Sequence, residues 1–327
     1  AHDDETALDP LTIDGADASR IVLDPVSGTV GYVAVGDRLF QAEASETWTE
    51  RGALADGVTV IQDSADPDAL WSGTEPECYR GGGGSTPLMR SADAGATWAA
   101  SGAADLAPLA SWADSGIVLA QGCPGLHLSL DNGTTFRTLD DLPLGMQVTS
   151  FAVEAAPGDA EFGPGVLVGL TGEGGTTSLH RVDLADPAKP LVSDELLMWY
   201  ALSPIGVDGD GTIYVGASHG VLVSEDEGAT WDVSRDGLES TTLAADPLVE
   251  FPVDLEPNSF GFGALLVDDE QVIVAGVDGL YVLEGDDDRW ALLSTTDAPI
   301  NALALSPDGS TLLCQSEDGV LEVVLDS

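Results

Sequence analysis

Short apolar, β-branched runs alternate along the chain with turns of Gly, Asp, Asn and Pro. RIVLDP (20–25), TVGYVAV (29–35), GIVLAQG (116–122), GVLVGLTG (165–172), GTIYVGAS (211–218), QVIVAGV (271–277) and STLLCQS (310–316) are examples. These runs are too short, too β-branched and too closely punctuated for helices, and they have the length and composition of strands. LVSDELLMWYAL (191–202) comes closest to a helical period and is expected to hold no more than a short turn. The chain reads as all-β.

The runs recur in a fixed order. A buried-looking strand ends in a polar turn such as SPDGST (306–311) or GVDGDGT (206–212), and a second, more apolar strand leads to a Gly-rich loop. A third strand, such as GVLVSEDE (220–227), is followed by a tight turn and a fourth strand that begins near a Trp. Alignment of these units gives seven repeats, at 19–52, 57–101, 105–140, 146–195, 197–238, 241–294 and 298–327. Each is expected to be a four-stranded antiparallel meander. The last lacks a fourth strand, which LDPLTIDG (8–15) is free to supply. Repeats of this length and content predict one β-propeller domain of seven blades, closed by strands from both ends of the chain. Closure leaves few exposed strand edges.

One eight-residue pattern, S-x-D-x-G-x-T-(W/F), occurs three times: SADAGATW (91–98), SLDNGTTF (129–136) and SEDEGATW (224–231). It resembles the Asp-box, or BNR repeat, of sialidases, sortilin-type propellers, xyloglucanases and photosystem II assembly factors. In those families it forms the turn between the third and fourth strands of a blade, and each copy here follows a third-strand run. The residue types suit a turn. Asp93, Asp131 and Asp226 can accept hydrogen bonds from turn amides, and Gly95, Gly133 and Gly228 can take positive φ. The hydroxyls of Ser91, Ser129, Ser224, Thr97, Thr135 and Thr230 can satisfy further backbone groups. Trp98, Phe136 and Trp231 are expected to fold over the hairpin. Copies on separate blades cannot converge on one substrate, so the motif reads as structural. AEASETW (42–48) and LEGDDDRW (283–290) are worn versions, and DLADPAKP (183–190) replaces the motif in the fourth unit.

Charge narrows the function. The chain has 57 Asp and Glu against 10 Lys and Arg, a net charge of −47, and Lys189 is the single lysine. Such a surface repels phosphate backbones and anionic lipids, so neither nucleic acid nor a membrane is an expected partner. No apolar run approaches the roughly 18 residues of a membrane span. The acidity is best explained by adaptation to a saline medium, since salt screens the self-repulsion. A calcium-rich setting, with some acids as ligands, is the alternative, but no calcium site or other cofactor is predicted: VDGDGT (207–212) and GDDDR (285–289) lack the full EF-hand pattern. His2, His127, His180 and His219 lack metal-ligand spacing, and GGGGST (81–86) lacks the Gly-Lys pair of a phosphate loop.

No catalytic residues are assigned. A sialidase needs an arginine cluster, and here only Arg20 on an innermost strand and Arg80 in a loop are well placed. Cys78 and Cys123 occupy equivalent loops of neighbouring units and are expected to form a disulfide, which implies an oxidising, extracellular or periplasmic location. The polar start AHDDETALDP is what a chain whose export signal has been removed would show. Cys314 reads as a buried strand residue. The candidate binding face carries the loops between second and third strands, with Tyr79, Arg80 and His219, and with Trp112, Trp199 and Tyr200 on or near innermost strands. The expected function is a monomeric, non-catalytic binding or scaffold propeller for a protein or glycan. Its rival is a sialidase-like or xyloglucanase-like glycan hydrolase with its site in the central pocket. If saline adaptation is the source of the charge, the melting temperature rises as NaCl is raised to about 1 M, where screening is nearly complete. A flat or falling melting curve series removes that explanation.

Overall fold

In the computed structural model the described residues are 8–325, apart from 43–46, 55–58, 75–85, 124, 140–141, 144–146, 155–164, 173–175, 201, 218–219, 239–261, 269–270 and 285–288. They form seven antiparallel sheets arranged as a β-propeller, with no helix among them. Blade 1 runs from Arg20–Leu23 to Trp48–Ala53, blade 2 from Thr59–Gln62 to Ala99–Ala104, and blade 3 from Ala107–Trp112 to Arg137–Thr138. Blade 4 begins at Gln147–Val153, blade 5 runs from Ile205–Val207 to Asp232–Ser234, and blade 6 from Ala264–Val267 to Arg289–Thr295. Blade 7 contains Ile300–Leu305, Thr311–Ser316 and Gly319–Val324, and its fourth strand is Asp9–Pro10 from the other end of the chain. The closing strand is thus shorter than the 8–15 stretch expected to supply it. After Asp9–Pro10 the chain makes a separate hairpin, Thr12–Ile13 with Ala16–Asp17, before entering blade 1.

The first strands of neighbouring blades pack on one another around the axis. The second strands lie between two neighbouring blades and are buried on both faces: every residue of Leu70–Gly73, Ile117–Gln121 and Val272–Ala275 is buried. This is why those runs are mostly apolar instead of alternating, with Ser72 and Gln121 as their buried polar exceptions. Between blades 3 and 4 the contact is made by Leu119, Leu128, Val148, Val168 and Leu170 among others. Each such side chain contributes about 1.5–3 kcal/mol by leaving water.

Blade 4 departs from the expected boundaries. Its third strand, Thr176–Asp183, carries two short partners in place of one fourth strand: Leu191–Val192 at one end and Leu197–Tyr200 at the other. LVSDELLMWYAL is therefore an interrupted edge strand, and residues 197–200 belong to blade 4, not to the start of blade 5.

The three repeated octapeptides occupy the turns between third and fourth strands. In the first, the Ser91 hydroxyl donates to Asp93 Oδ1 (2.9 Å) and accepts from the Gly95 amide (2.9 Å). The Thr97 amide and hydroxyl donate to the two Asp93 oxygens at 2.8 and 2.7 Å. The same bonds recur around Asp131 and Asp226. Residues four and five of each motif take positive φ: Ala94 and Gly95, Asn132 and Gly133, Glu227 and Gly228. Two consecutive left-handed residues are what a type I′ hairpin turn requires. The Thr97 hydroxyl and amide hold the Asp93 carboxyl below the usual carboxylate range, and the Thr135 and Thr230 groups do the same for Asp131 and Asp226. A depressed folded-state pKa stabilises the fold above the unfolded carboxylate pKa near about 3.9. That contribution is lost as pH falls through the lowered value.

The aromatic position does more than cover its own hairpin. Trp231 donates from Nε1 to Gly228 O of its own turn (3.1 Å), as expected. Trp98 instead reaches back to blade 1, where Nε1 donates to Ala53 O (2.7 Å), and the Ala53 amide donates to Gly95 O (3.2 Å). Phe136 packs on Ile61, Trp71, Leu88 and Val118, spanning blades 2 and 3. The glycine of each turn also faces the preceding blade: Gly95 faces Leu39, Gly133 the Trp71 ring, Gly228 Leu196. Two glycines with the same φ separate crowding from backbone strain. Gly133 and Gly309 both have φ +74°, but a Cβ at Gly133 would enter the Trp71 ring, whereas one at Gly309 meets nothing within 4 Å. In urea denaturation, Gly133→Ala is expected to cost about 1–3 kcal/mol more than Gly309→Ala. Equal losses would show that these turns do not rest on the preceding blade.

Candidate functional site

The order of strands defines two faces. Turns between first and second strands and between third and fourth strands share one rim. The loops between second and third strands, and those linking one blade to the next, share the other. A channel of about 390 Å³ runs along the axis among the first strands of blades 1, 4, 5, 6 and 7. At the end where those strands begin, its lining is polar and uncharged: Thr149, Ser150, Ser203 and Asn301. At the end toward the octapeptide rim it is apolar, with Leu23, Val26, Val153, Val207 and Val267.

Local geometry explains the polar mouth. Blade 4's first strand is irregular between Val148 and Ser150. The buried Ser150 hydroxyl is left without a hydrogen-bond partner among the described residues. The Thr149 hydroxyl bonds that of Thr171 (2.9 Å), which bonds that of Thr177 (2.7 Å). Thr177 is in register with Trp199 on the outer strand, so a line of hydroxyls crosses blade 4 from the channel mouth to an exposed indole.

Several sequence-predicted residues move relative to this mouth. Trp199 lies at the outer edge of blade 4 rather than on an innermost strand, and the backbone of Tyr200 lies beside it. Both remain at the end of the blade that carries the second-to-third strand loop. Trp112 is on an innermost strand, but it is the last residue of Ala107–Trp112 and turns directly into Ile117. It therefore sits on the octapeptide rim, where Gly116 O accepts from the Asn132 amide (2.9 Å). The expected grouping of Trp112 with Trp199 on one face is thus corrected. Tyr79, Arg80, His219 and Cys78 lie outside the described residues. Arg20 is on the innermost strand of blade 1, in register with Ala34, and is not part of the channel lining.

Two arginines of third strands pair with glutamates away from the channel. Arg181 on a third strand bonds Glu154 (2.6 Å) and reaches Glu227 of blade 5 (3.4 Å), while Arg38 pairs with Glu50 (3.2 Å). The acidic loop at 207–212 turns its carboxylate inward on itself: Asp208 Oδ1 accepts from the amides of Asp210 and Thr212 at 3.0 and 2.8 Å. Among the described residues no group of three or more His, Cys, Asp or Glu could hold a metal. Thr149, Ser150, Ser203 and Asn301 were not singled out by sequence. Their signal was present as polar residues at the start of otherwise apolar first strands, in QVTSF, LSP and INA.

Cys123 lies in the turn after the second strand of blade 3, where the Gly122 amide donates to Gly125 O (2.8 Å). His127 packs under this turn against Gly122, and burial lowers its pKa, favouring the neutral ring. Among the described residues the free cysteine is Cys314, whose thiol is pushed up to about 12 by burial in blade 7. We propose that Cys123 pairs with Cys78, which lies outside the described residues. If it holds, intact mass spectrometry of untreated protein finds the chain two hydrogens lighter than after reduction, and one thiol titrates on unfolding. Three titratable thiols would exclude the bridge.

No protein-family model matches the chain, and no curated protein matches it. Solved structures do. The fold is similar to the GH74 xyloglucanase from Xanthomonas campestris at 14% identity and a TM-score of 0.54, covering 86% of this chain and 48% of that one. It is similar to the extracellular domain of a one-component system from B. thetaiotaomicron at 12% identity and a TM-score of 0.54, over 99% and 40% of the two chains. An ancestral GH74 enzyme aligns at 12% identity and a TM-score of 0.55, over 85% and 37%. This chain spans less than half the length of each. At such identity the likeness is one of fold.

Proposed function

We propose that this chain is an exported, non-catalytic propeller of the Asp-box type that binds a neutral, hydroxyl-rich glycan at the channel mouth, on the face carrying the second-to-third strand loops. The observation that carries the reading is the lining of that mouth. Thr149, Ser150, Ser203 and Asn301 offer hydroxyl and amide groups that can both donate and accept, the chemistry that matches sugar hydroxyls. The hydroxyl line to Trp199 extends the same chemistry outward to an aromatic face. An anionic ligand would be opposed by a net charge of −47, whereas a neutral glycan is indifferent to it.

The rival hydrolase reading requires a carboxylate pair across the scissile bond, one acting as acid and one as base or nucleophile. Among the described residues that line the channel there is no Asp, Glu, Arg or Tyr. Export and an extracellular setting are in keeping with the extracellular domain among the structural neighbours, and with the proposed disulfide. The test is a glycan array probed in high-salt buffer, followed by titration of the best hit. Asn301→Ala and Thr149→Val are each expected to weaken binding roughly threefold to tenfold, the range of one hydrogen bond, with little change in melting temperature. Release of sugar from the hit during incubation would favour the hydrolase. A blank array, or binding unchanged in both variants, would reject the mouth as a glycan site.

A further inference from the structure

A second cavity lies at the seam where blade 7 meets blade 1, and it opens on the opposite rim. It measures about 310 Å³, and its walls include Leu11, Leu313 and Val324, with Trp48, Asp308 and Glu322. The seam is where the turn motif of blade 1 is worn: AEASETW keeps Thr47 and Trp48 but has neither the Asp nor the Gly. Two groups in its lining are unspent. Of the tryptophans that open fourth strands, Trp98, Trp231 and Trp290 donate their indole N–H to Ala53 O, Gly228 O and Ser234 Oγ at 2.7, 3.1 and 3.0 Å. The Trp48 N–H has no partner among the described residues. Asp308 is exposed, and its three hydrogen bonds, from the Ser306 hydroxyl and the Ser310 amide and hydroxyl, all fall on Oδ1 at 2.6, 3.1 and 2.8 Å. Oδ2 accepts none. The Ser306 hydroxyl and the Ser310 groups hold the Asp308 carboxyl down to about 2, so it is charged at any physiological pH.

We propose that this seam cavity binds a small organic cation of amino-acid size: an ammonium or guanidinium group on Asp308 Oδ2 and Trp48, and a hydrogen-bond acceptor on the Trp48 N–H. The apolar walls receive the methylene stem, as such side chains favour. The indole adds cation–π attraction to the carboxylate's charge. A cavity of about 310 Å³ suits a ligand of this size. The site lies on the rim away from the channel mouth and stands independently of the glycan reading.

The probes are free arginine and lysine, with norleucine as the control that keeps the stem and lacks the terminal cation. All are titrated into the full chain at matched ionic strength near about 0.1 M. The readouts are isothermal titration and the indole N–H resonance that disappears in Trp48→Phe. Saturable one-site binding of arginine or lysine, a shift of the Trp48 resonance and no response to norleucine are expected. Asp308→Asn keeps the Oδ1 acceptor that holds its turn and alters a net charge of −47 by one unit. Counter-ion condensation on the acidic surface would hardly notice that change, so a loss of about tenfold in affinity marks a local site. Trp48→Phe is expected to lose about threefold or more. Unsaturable binding, equal binding in Asp308→Asn, or a resonance that does not move would overturn the proposal. None of these results touches glycan binding, which the same variants leave unchanged.

Discussion

A blade whose middle strands are apolar on both faces cannot stand alone in water, and this constraint governs the architecture. Each blade needs a neighbour on either side, so the stack has no natural end until it meets itself. The meeting point is defined by backbone chemistry as well as apolar contact. Asp9–Pro10 pairs with the third strand of blade 7, the Val320 amide donates to Ala18 O (2.9 Å), and the Ile21 amide donates to the side chain of Gln315 (2.9 Å). On the opposite rim the Leu305 amide donates to Gly28 O (3.1 Å). Both rims of the seam are therefore fastened.

The fold was legible because its signals are local and repeated. Strand runs, Gly-rich loops and the three octapeptides each report on a turn or a strand whose chemistry is complete within a few residues. The site was less legible because it depends on radial position, which no local pattern encodes. Trp199 and Trp112 illustrate this. Alignment within repeats predicts a common face for both, yet Trp112 ends an innermost strand and Trp199 sits on a broken outer one. The interruption between Val192 and Leu197 shifts the apparent start of the next unit and carries Trp199 and Tyr200 with it. Thr149, Ser150, Ser203 and Asn301 are neither charged nor aromatic, and their significance lies in sharing one channel mouth.

The octapeptide shows how one motif can serve two scales. Within its turn, Ser, Asp and Thr satisfy amides that have no ladder partner. Between blades, the glycine and the aromatic position set the spacing to the preceding blade, through Leu39, Trp71 and Leu196. Where the motif is intact the indole or phenyl ring is spent on structure. Decay of the motif does not by itself release the ring: Trp290, in the worn turn of blade 6, is buried and donates to Ser234 Oγ (3.0 Å).

The closing blade also settles a matter of orientation. Asp9–Pro10 is antiparallel to Gly319–Val324, and the Leu325 amide donates to Ser310 O (2.8 Å) in the turn between the first two strands of blade 7. The chain therefore enters at residue 8 and leaves at residue 325 on the octapeptide rim. The described ends of the chain and the polar channel mouth therefore occupy opposite rims of the ring.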